Sequence, residues 1–229
     1  MRALYFPAGE RTGRGSMTEE RFDIYDEAMN PIGTASRSEA HANGYWHRTF
    51  HCWVIRKAGD QLYVWFQLRQ SGKDTYPNCY DITAAGHLSA GENVRAASRE
   101  LEEELGIVAA FESLIPLGQH REESYGTACG VPFIDREVSE EFACVVDARF
   151  SLASLKLQAS EVAGVYEAEL GAMLALFEGE ASSVNVHGVE ISPSGELLAV
   201  SERSVRADEF VPREAGYYAG VMRALMACH

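Results

Sequence analysis

Gly86-His87-Leu88-Ser89-Ala90-Gly91-Glu92 is followed, six residues on, by Arg99-Glu100-Leu101-Glu102-Glu103-Glu104-Leu105-Gly106-Ile107. Glu103 and Glu104 come three and four positions after Glu100, so a helix carries the three carboxylates on one stripe. Like charges at that spacing repel, and stacking them is favourable only when something positive lies between. A hard divalent cation such as Mg2+ fits, because it takes oxygen ligands from a few carboxylates together with substrate phosphates. A solvated acidic face is the plainer reading of the run taken alone; the glycine-bearing loop upstream shifts the balance toward a metal site. Val94, Ala97, Leu101 and Leu105 form the core-facing stripe of the same helix. Asn93 is placed to cap it, and Gly106 to end it in the left-handed conformation. Glu102 points roughly 160° away from Glu104 and is read as solvent-facing.

From Gly86 to Ile107 the chain resembles the Nudix box: a glycine, five residues, a glutamate, a spacer, then R-E-apolar-x-E-E-x-G-apolar. Gly86 and Glu92 match the first half. Arg99, Glu100, Leu101, Glu103, Glu104, Gly106 and Ile107 complete the second. The spacer between Glu92 and Arg99 has six residues where the family pattern has seven, which weakens any role carried over to Glu92. The resemblance implies an α/β (α+β) Nudix fold, a mixed sheet between helices with the box as loop-helix-loop. It also implies Glu100, Glu103 and Glu104 as ligands of Mg2+ or Mn2+, with Glu103 and Glu104 catalytic. Arg99 is expected to orient Glu103, and Gly86 to let metal and substrate approach the backbone. The chemistry implied is hydrolysis of a small diphosphate, in which metal ions neutralise phosphate oxygens and activate a water.

A second resemblance, over roughly Phe22 to Leu170, is to the branch of that superfamily containing type I isopentenyl-diphosphate isomerase. It is carried by Tyr25-Asp26-Glu27, His41, His47, Ala85-Gly86-His87, Arg136-Glu137-Val138 and Glu161-Val162. It implies a metal set of His41, His47, His87, Asp135 and Glu137. Among Asp135, Glu137, Glu140 and Glu141, it favours Glu137 as catalytic base. The isomerase has its catalytic cysteine where this chain has Ala85, and alanine cannot transfer a proton. Cys79 lies six residues earlier, and nothing suggests that it substitutes. Hydrolysis is therefore the favoured reading, with an isomerase-like enzyme and a non-catalytic nucleotide-binding module as alternatives.

Arg69 and Lys73, between the second hairpin and the box, are candidates to meet a phosphate. Trp46, Trp53, Trp65 and Tyr80 are candidates to stack on a base, although strand aromatics usually belong to the core. The chain has 229 residues, 46% hydrophobic and 24% charged, with a formal charge of -14. That charge argues against a nucleic-acid polymer as partner, but a bound cation can reverse the field locally for a small diphosphate. No apolar run approaches a membrane span. Five cysteines, irregularly spaced and without a CxxC pair, fit free thiols in the cytoplasm.

Residues 1–16 read as a flexible leader, 17–179 as the Nudix domain and 180–229 as a hairpin and helix packed on it, the last being where a homodimer contact would be sought. Strand hairpins are expected at Phe22–Tyr25 with Ile32–Thr34 and at Thr49–Arg56 with Gln61–Arg69. A further strand is expected at Phe142–Val146 and a helix at Glu167–Glu178. The tail is expected to form a hairpin from Val184–Ile191 and Leu197–Val200, then a helix from about Pro212 to Ala227.

Overall fold

The structure, a computed structural model, describes residues 19–128 and 130–228. Its strands are β1 (Arg21–Tyr25), β2 (Pro31–Ser36), β3 (Trp46–Ala58), β4 (Gln61–Arg69), β5 (Tyr80–Asp81), β6 (Ala84–His87), β7 (Ile115–Ala128), β8 (Val131–Val146), β9 (Val162–Glu169), β10 (Val184–Ile191) and β11 (Leu197–Val205). The helices are α1 (Arg37–Asn43), α2 (Val94–Ala97), α3 (Glu100–Leu105), α4 (Leu170–Phe177) and α5 (Tyr217–Met226).

β3 organises the fold because its side chains alternate between two apolar environments. Phe50, Cys52 and Val54 pack with Ala97, Leu101 and Leu105 beneath α2 and α3. Trp53 and Ile55 face the other way and pack with Leu170 and Met173 of α4 and Met222 and Leu225 of α5. A mixed sheet between helices results: the main path runs β11-β10-β9-β4-β3-β1-β2. β8 pairs with β3 in parallel from Trp46 to Arg56, and β6 pairs with it antiparallel.

Both expected hairpins near the start form, β1 with β2 and β3 with β4. Other expectations need correcting. The single box helix is two short pieces, joined where Arg99 N donates to Ala96 O and Leu101 N to Ser98 O at 3.1 and 3.3 Å. Those i→i+3 bonds tighten the chain where the spacer is a residue short. Asn93 Oδ1 accepts from Ala96 N, and Gly106 closes the second piece at φ 72°. Ala97, Leu101 and Leu105 are all fully buried, so the apolar stripe survives the break.

Phe142–Val146 is the end of a 16-residue strand, β8, whose partner β7 has too little apolar alternation to be read from sequence. Glu167 to Glu169 extend β9 instead of starting a helix. Glu167 is buried there, accepting from Arg56 Nε and Nη2 and from Trp65 Nε1, all at 2.6 Å. The last helix begins at Tyr217, not Pro212, because residues 210–213 run extended beside β5: Val211 N donates to Tyr80 O at 2.8 Å. The tail hairpin β10–β11 continues the main sheet through β9. α1 was not anticipated; Ser36 and Glu39 form a capping box at its start. The leader, residues 1–16, and Cys129 lie outside the described residues. No helix among the described residues is long and apolar enough to cross a membrane.

Candidate active site

Trp53 and Ile55 are core, yet the same face of β3 is polar toward its start: His47, Thr49 and His51. The parallel register sets these opposite Glu137, Ser139 and Glu141 of β8. Three cross-strand polar pairs result. His47 Nε2 lies 3.7 Å from Glu137 Oε1, Thr49 Oγ1 donates to Ser139 Oγ at 2.8 Å, and His51 Nδ1 lies 3.1 Å from Glu141 Oε1. Thr49, His51, Asp135 and Glu137 help line a cavity of about 310 Å³ that also reaches the box glutamates.

At one end of the cavity α1 and β6 add His41 and His87 to this row. His41, His47 and His87 bring three nitrogens within 4.8 Å of one another, and His47, Asp135 and Glu137 form an overlapping triad on the same criterion. Asp135 Oδ1 is 3.5 Å from His41 Nε2 and 3.4 Å from His47 Nε2, while His87 Nε2 is 3.3 Å from Glu137 Oε1. Phe22 stacks on His47 and His87 at centroid distances of 5.0 and 4.6 Å, closing the back of the cluster.

Burial controls the protons here. It pushes His41 down to about 3, helped by Arg37, and His87 down to about 4, so both rings are neutral near pH 7. Burial and Glu137 push Asp135 up to about 7. Burial alone would raise Glu137 too, but His47 and His87, set against its carboxyl, outweigh it and hold that carboxyl well below the usual range. His47 is correspondingly raised: Glu137 and Asp135 outweigh the opposing effect of burial.

At the other end stands the box. Arg99 gathers three glutamates: Nε reaches Glu92 at 3.0 Å, and Nη1 reaches Glu100 at 2.7 Å and Glu103 at 2.6 Å. Glu92 also accepts from Ser89 N at 2.8 Å. The short spacer therefore leaves Glu92 in place, and it buttresses the arginine. Glu104 is buried against Ala85 N, 3.3 Å from its Oε2. Burial, then Glu100, push Glu104 well above the usual carboxylate range. Burial raises Glu100 to about 7 despite Arg99. Glu103 is different, with its side chain 52% exposed at the cavity mouth. Glu102 is exposed, as its angular position requires.

Gly86 makes room for one of the box carboxylates. A Cβ there would sit 2.3 Å from Cδ and Oε1 of Glu100, so the missing side chain is the space that Glu100 occupies.

Arg69 and Lys73 line the cavity, and both are already engaged. Arg69 binds Asp81 at 3.0 Å and the carbonyls of Thr75 and Tyr76; Lys73 pairs with Glu161. Trp53 and Trp65 are core, Trp46 and Tyr80 are buried, and none of the four lines the cavity. Glu140 leaves the site and binds Gln119 at 2.7 Å. Sequence reasoning missed His51 and Arg213. His51 was legible in the alternation of His47, Thr49 and His51. Arg213 had no sequence signal: it reaches back from the tail to Asp81 at 3.2 Å and Glu122 at 2.6 Å.

The NUDIX domain family model matches residues 45–164, over half of the chain. This chain belongs to the Nudix family. It is 37% identical over 212 residues to an uncharacterized Nudix hydrolase of Clostridium acetobutylicum, covering 92% of this chain and 98% of that one. That Nudix relative therefore matches well beyond residue 164, into the C-terminal extension. Nudix hydrolase 3 of Arabidopsis thaliana is 34% identical over 154 residues, 65% of this chain and 19% of that one. Among solved structures, DR0079 from Deinococcus radiodurans aligns over 70% of this chain and 90% of that one, at 18% identity and a TM-score of 0.49. The family match and the two relatives make the chain a hydrolase of the Nudix family.

Proposed function

We propose that this Nudix hydrolase cleaves a diphosphate linkage in a nucleoside diphosphate derivative or a related small diphosphate, using water as nucleophile and Mg2+ or Mn2+ as cofactor. The observation that carries the reading is the charge of the cavity. Nine carboxylates line it against five Lys and Arg side chains, so an anionic substrate needs added cations to enter. The donor set fits such cations. Nε2 of His41, His47 and His87 and Oδ1 of Asp135 are buried without a hydrogen-bond partner. Unpaired buried polar atoms are costly, and an ion would satisfy all four.

On this reading Glu100, Glu103 and Glu104 hold metal at one end of the cavity, and His41, His47, His87, Asp135 and Glu137 hold it at the other. Bound metal would polarise the phosphoryl group and lower the pKa of a coordinated water. Arg99 fixes Glu100 and Glu103, and Gly86 leaves room for Glu100. Lys73 and Arg69 are placed to meet phosphate oxygens once their carboxylate partners yield. Glu137, held ionised by two histidines, suits ligation better than proton abstraction, since a carboxyl with so low a pKa is a weak base. The free thiols of Cys52, Cys79, Cys144 and Cys228 fit a reducing compartment such as the cytoplasm.

The test is a panel of nucleoside diphosphates, sugar nucleotides, dinucleotides and short diphosphates with Mg2+ or Mn2+, scored by product mass in 18O-water. Turnover that incorporates one 18O and is lost in Glu104→Gln is expected. Binding of every compound without turnover would leave a nucleotide-binding module instead. The histidine-carboxylate cluster favours one second reading, an isomerase acting on an isoprenoid diphosphate. Deuterium incorporation at carbon from heavy water, without phosphate release, would select it, but Ala85 supplies no proton-transfer group.

A further inference from the structure

Between the two carboxylate-rich ends of the cavity stands a third group that neither end uses. His51 lines the cavity and is 3% exposed. Its Nδ1 meets Glu141 Oε1 at 3.1 Å, and the Tyr217 hydroxyl donates to the same oxygen at 2.8 Å. Burial raises Glu141, but His51 and Tyr217 more than offset it, so the carboxyl stays ionised. An ionised carboxylate only accepts, so Nδ1 carries the ring proton and Nε2 is left as the accepting atom. Across the antiparallel register His51 faces Ala85, whose amide is the partner of Glu104. His51 and Glu104 both line the cavity, on the two sides of this β6 residue. Tyr217 belongs to α5, beyond the residues that the family model matches.

We propose that His51 is a proton-transfer residue of the cavity, oriented by Glu141 and, through Glu141, by Tyr217 of the C-terminal extension. This rests on the hydrolase reading above. As water attacks phosphorus, the new O–P bond forms and the bridging P–O bond breaks, its electron pair leaving on the departing phosphate. The proton released by the water passes to Nε2 of His51 and from there to the departing phosphate or to solvent. The arrangement is a histidine fixed by a carboxylate, the usual way a general base is held in one tautomer. The charged and titratable groups around it are Glu141 of β8, Asp81 of β5, Arg213 and Tyr217 of the extension, and His120 of β7, whose ring lies tilted against Tyr217 at 4.6 Å.

The test reads the pH dependence of kcat with the best substrate of the panel. His51→Gln is expected to lower kcat by about 10²-fold with little change in KM, and to remove one limb of the profile. Tyr217→Phe takes one donor from Glu141 and concentrates its charge on the imidazole, so the limb moves to higher pH. Glu141→Gln removes that charge, so the limb moves to lower pH. A purely structural role moves neither limb in this opposed way. The ring of His51, assigned by the NMR signal that His51→Gln removes, should titrate with the same opposed shifts when no substrate is present. Should Glu141→Gln fail to fold, the Tyr217→Phe shift decides. A kcat within about threefold of wild type in His51→Gln, or shifts of one sign, overturns the proposal and leaves the hydrolase reading standing. A wild type that hydrolyses nothing overturns both.

Discussion

Gly86→Ala isolates one contact of the site. The added methyl would stand 2.3 Å from Cδ and Oε1 of Glu100, where ordinary contact begins near 3.4 Å, so the carboxylate must retreat by about 1.1 Å. Gly86 does not occupy the left-handed region, so alanine introduces no backbone strain. The displaced group is the far end of a flexible side chain, and its burial already raises it to about 7. Moving it toward water relieves that cost, so the variant should lose less than about 1 kcal/mol of stability. Activity should respond very differently, since a misplacement of about 1 Å in a positioned group costs on the order of 10²-fold. Urea denaturation and steady-state kinetics measure the two effects. The double variant Gly86→Ala, Glu100→Ala then checks the route: if the methyl acts through Glu100, the pair is no less active than Glu100→Ala alone. Near-wild-type kcat/KM in Gly86→Ala, or a further additive loss in the double variant, would refute the reasoning.

Stability without divalent cations should fall between about pH 6.5 and 8. Glu100 and Asp135 have folded values of about 7, above their unfolded ones, so their contribution is present at low pH and lost as pH rises through 7. The depressed His41 and His87 act with the opposite sign, but only below about pH 6.5. The expected loss is on the order of 1 kcal/mol, and Mg2+ should flatten it; rising stability over that interval in urea melts would contradict the assignment. Glu92→Gln should cost about tenfold in kcat/KM by loosening Arg99, and unchanged kinetics would show that Glu103 and Glu100 suffice to hold the guanidinium. Arg213→Ala leaves the half-buried Glu122 without its guanidinium and takes one of two from buried Asp81, which keeps Arg69, and should destabilise by about 1.5–3 kcal/mol; a loss below about 1 kcal/mol by denaturant titration would mean that water replaces the guanidinium. Chelation with EDTA should abolish turnover, and Mg2+ or Mn2+ should restore it; activity surviving exhaustive chelation would remove the metal from the reaction.

The helical repeat is a local property, and what depends on it was legible. The stripe of Ala97, Leu101 and Leu105, the outward Glu102, the Asn93 cap and the left-handed Gly106 all follow from spacing within a few residues. The two early hairpins were equally local. Boundaries suffered where a long-range partner decides them. Glu167 looks like a helix residue until Arg56 and Trp65, more than a hundred positions away, bind its carboxylate in a strand. β7 is polar enough to pass for loop until β8 pairs with it.

For this chain, then, sequence alone determined the family, the mixed sheet between helices and the set of glutamates on one helical stripe, because period and motif spacing are written along the backbone. Tertiary structure decided which groups meet. Parallel pairing of β3 with β8 turns two separate alternating runs into the ladder of His47 with Glu137, Thr49 with Ser139 and His51 with Glu141. The bend of the tail brings Arg213 into the cavity and Tyr217 onto Glu141 behind it, both from outside the motif. Register between distant strands and the docking of a terminal segment depend on packing across the whole core, and no local pattern encodes them.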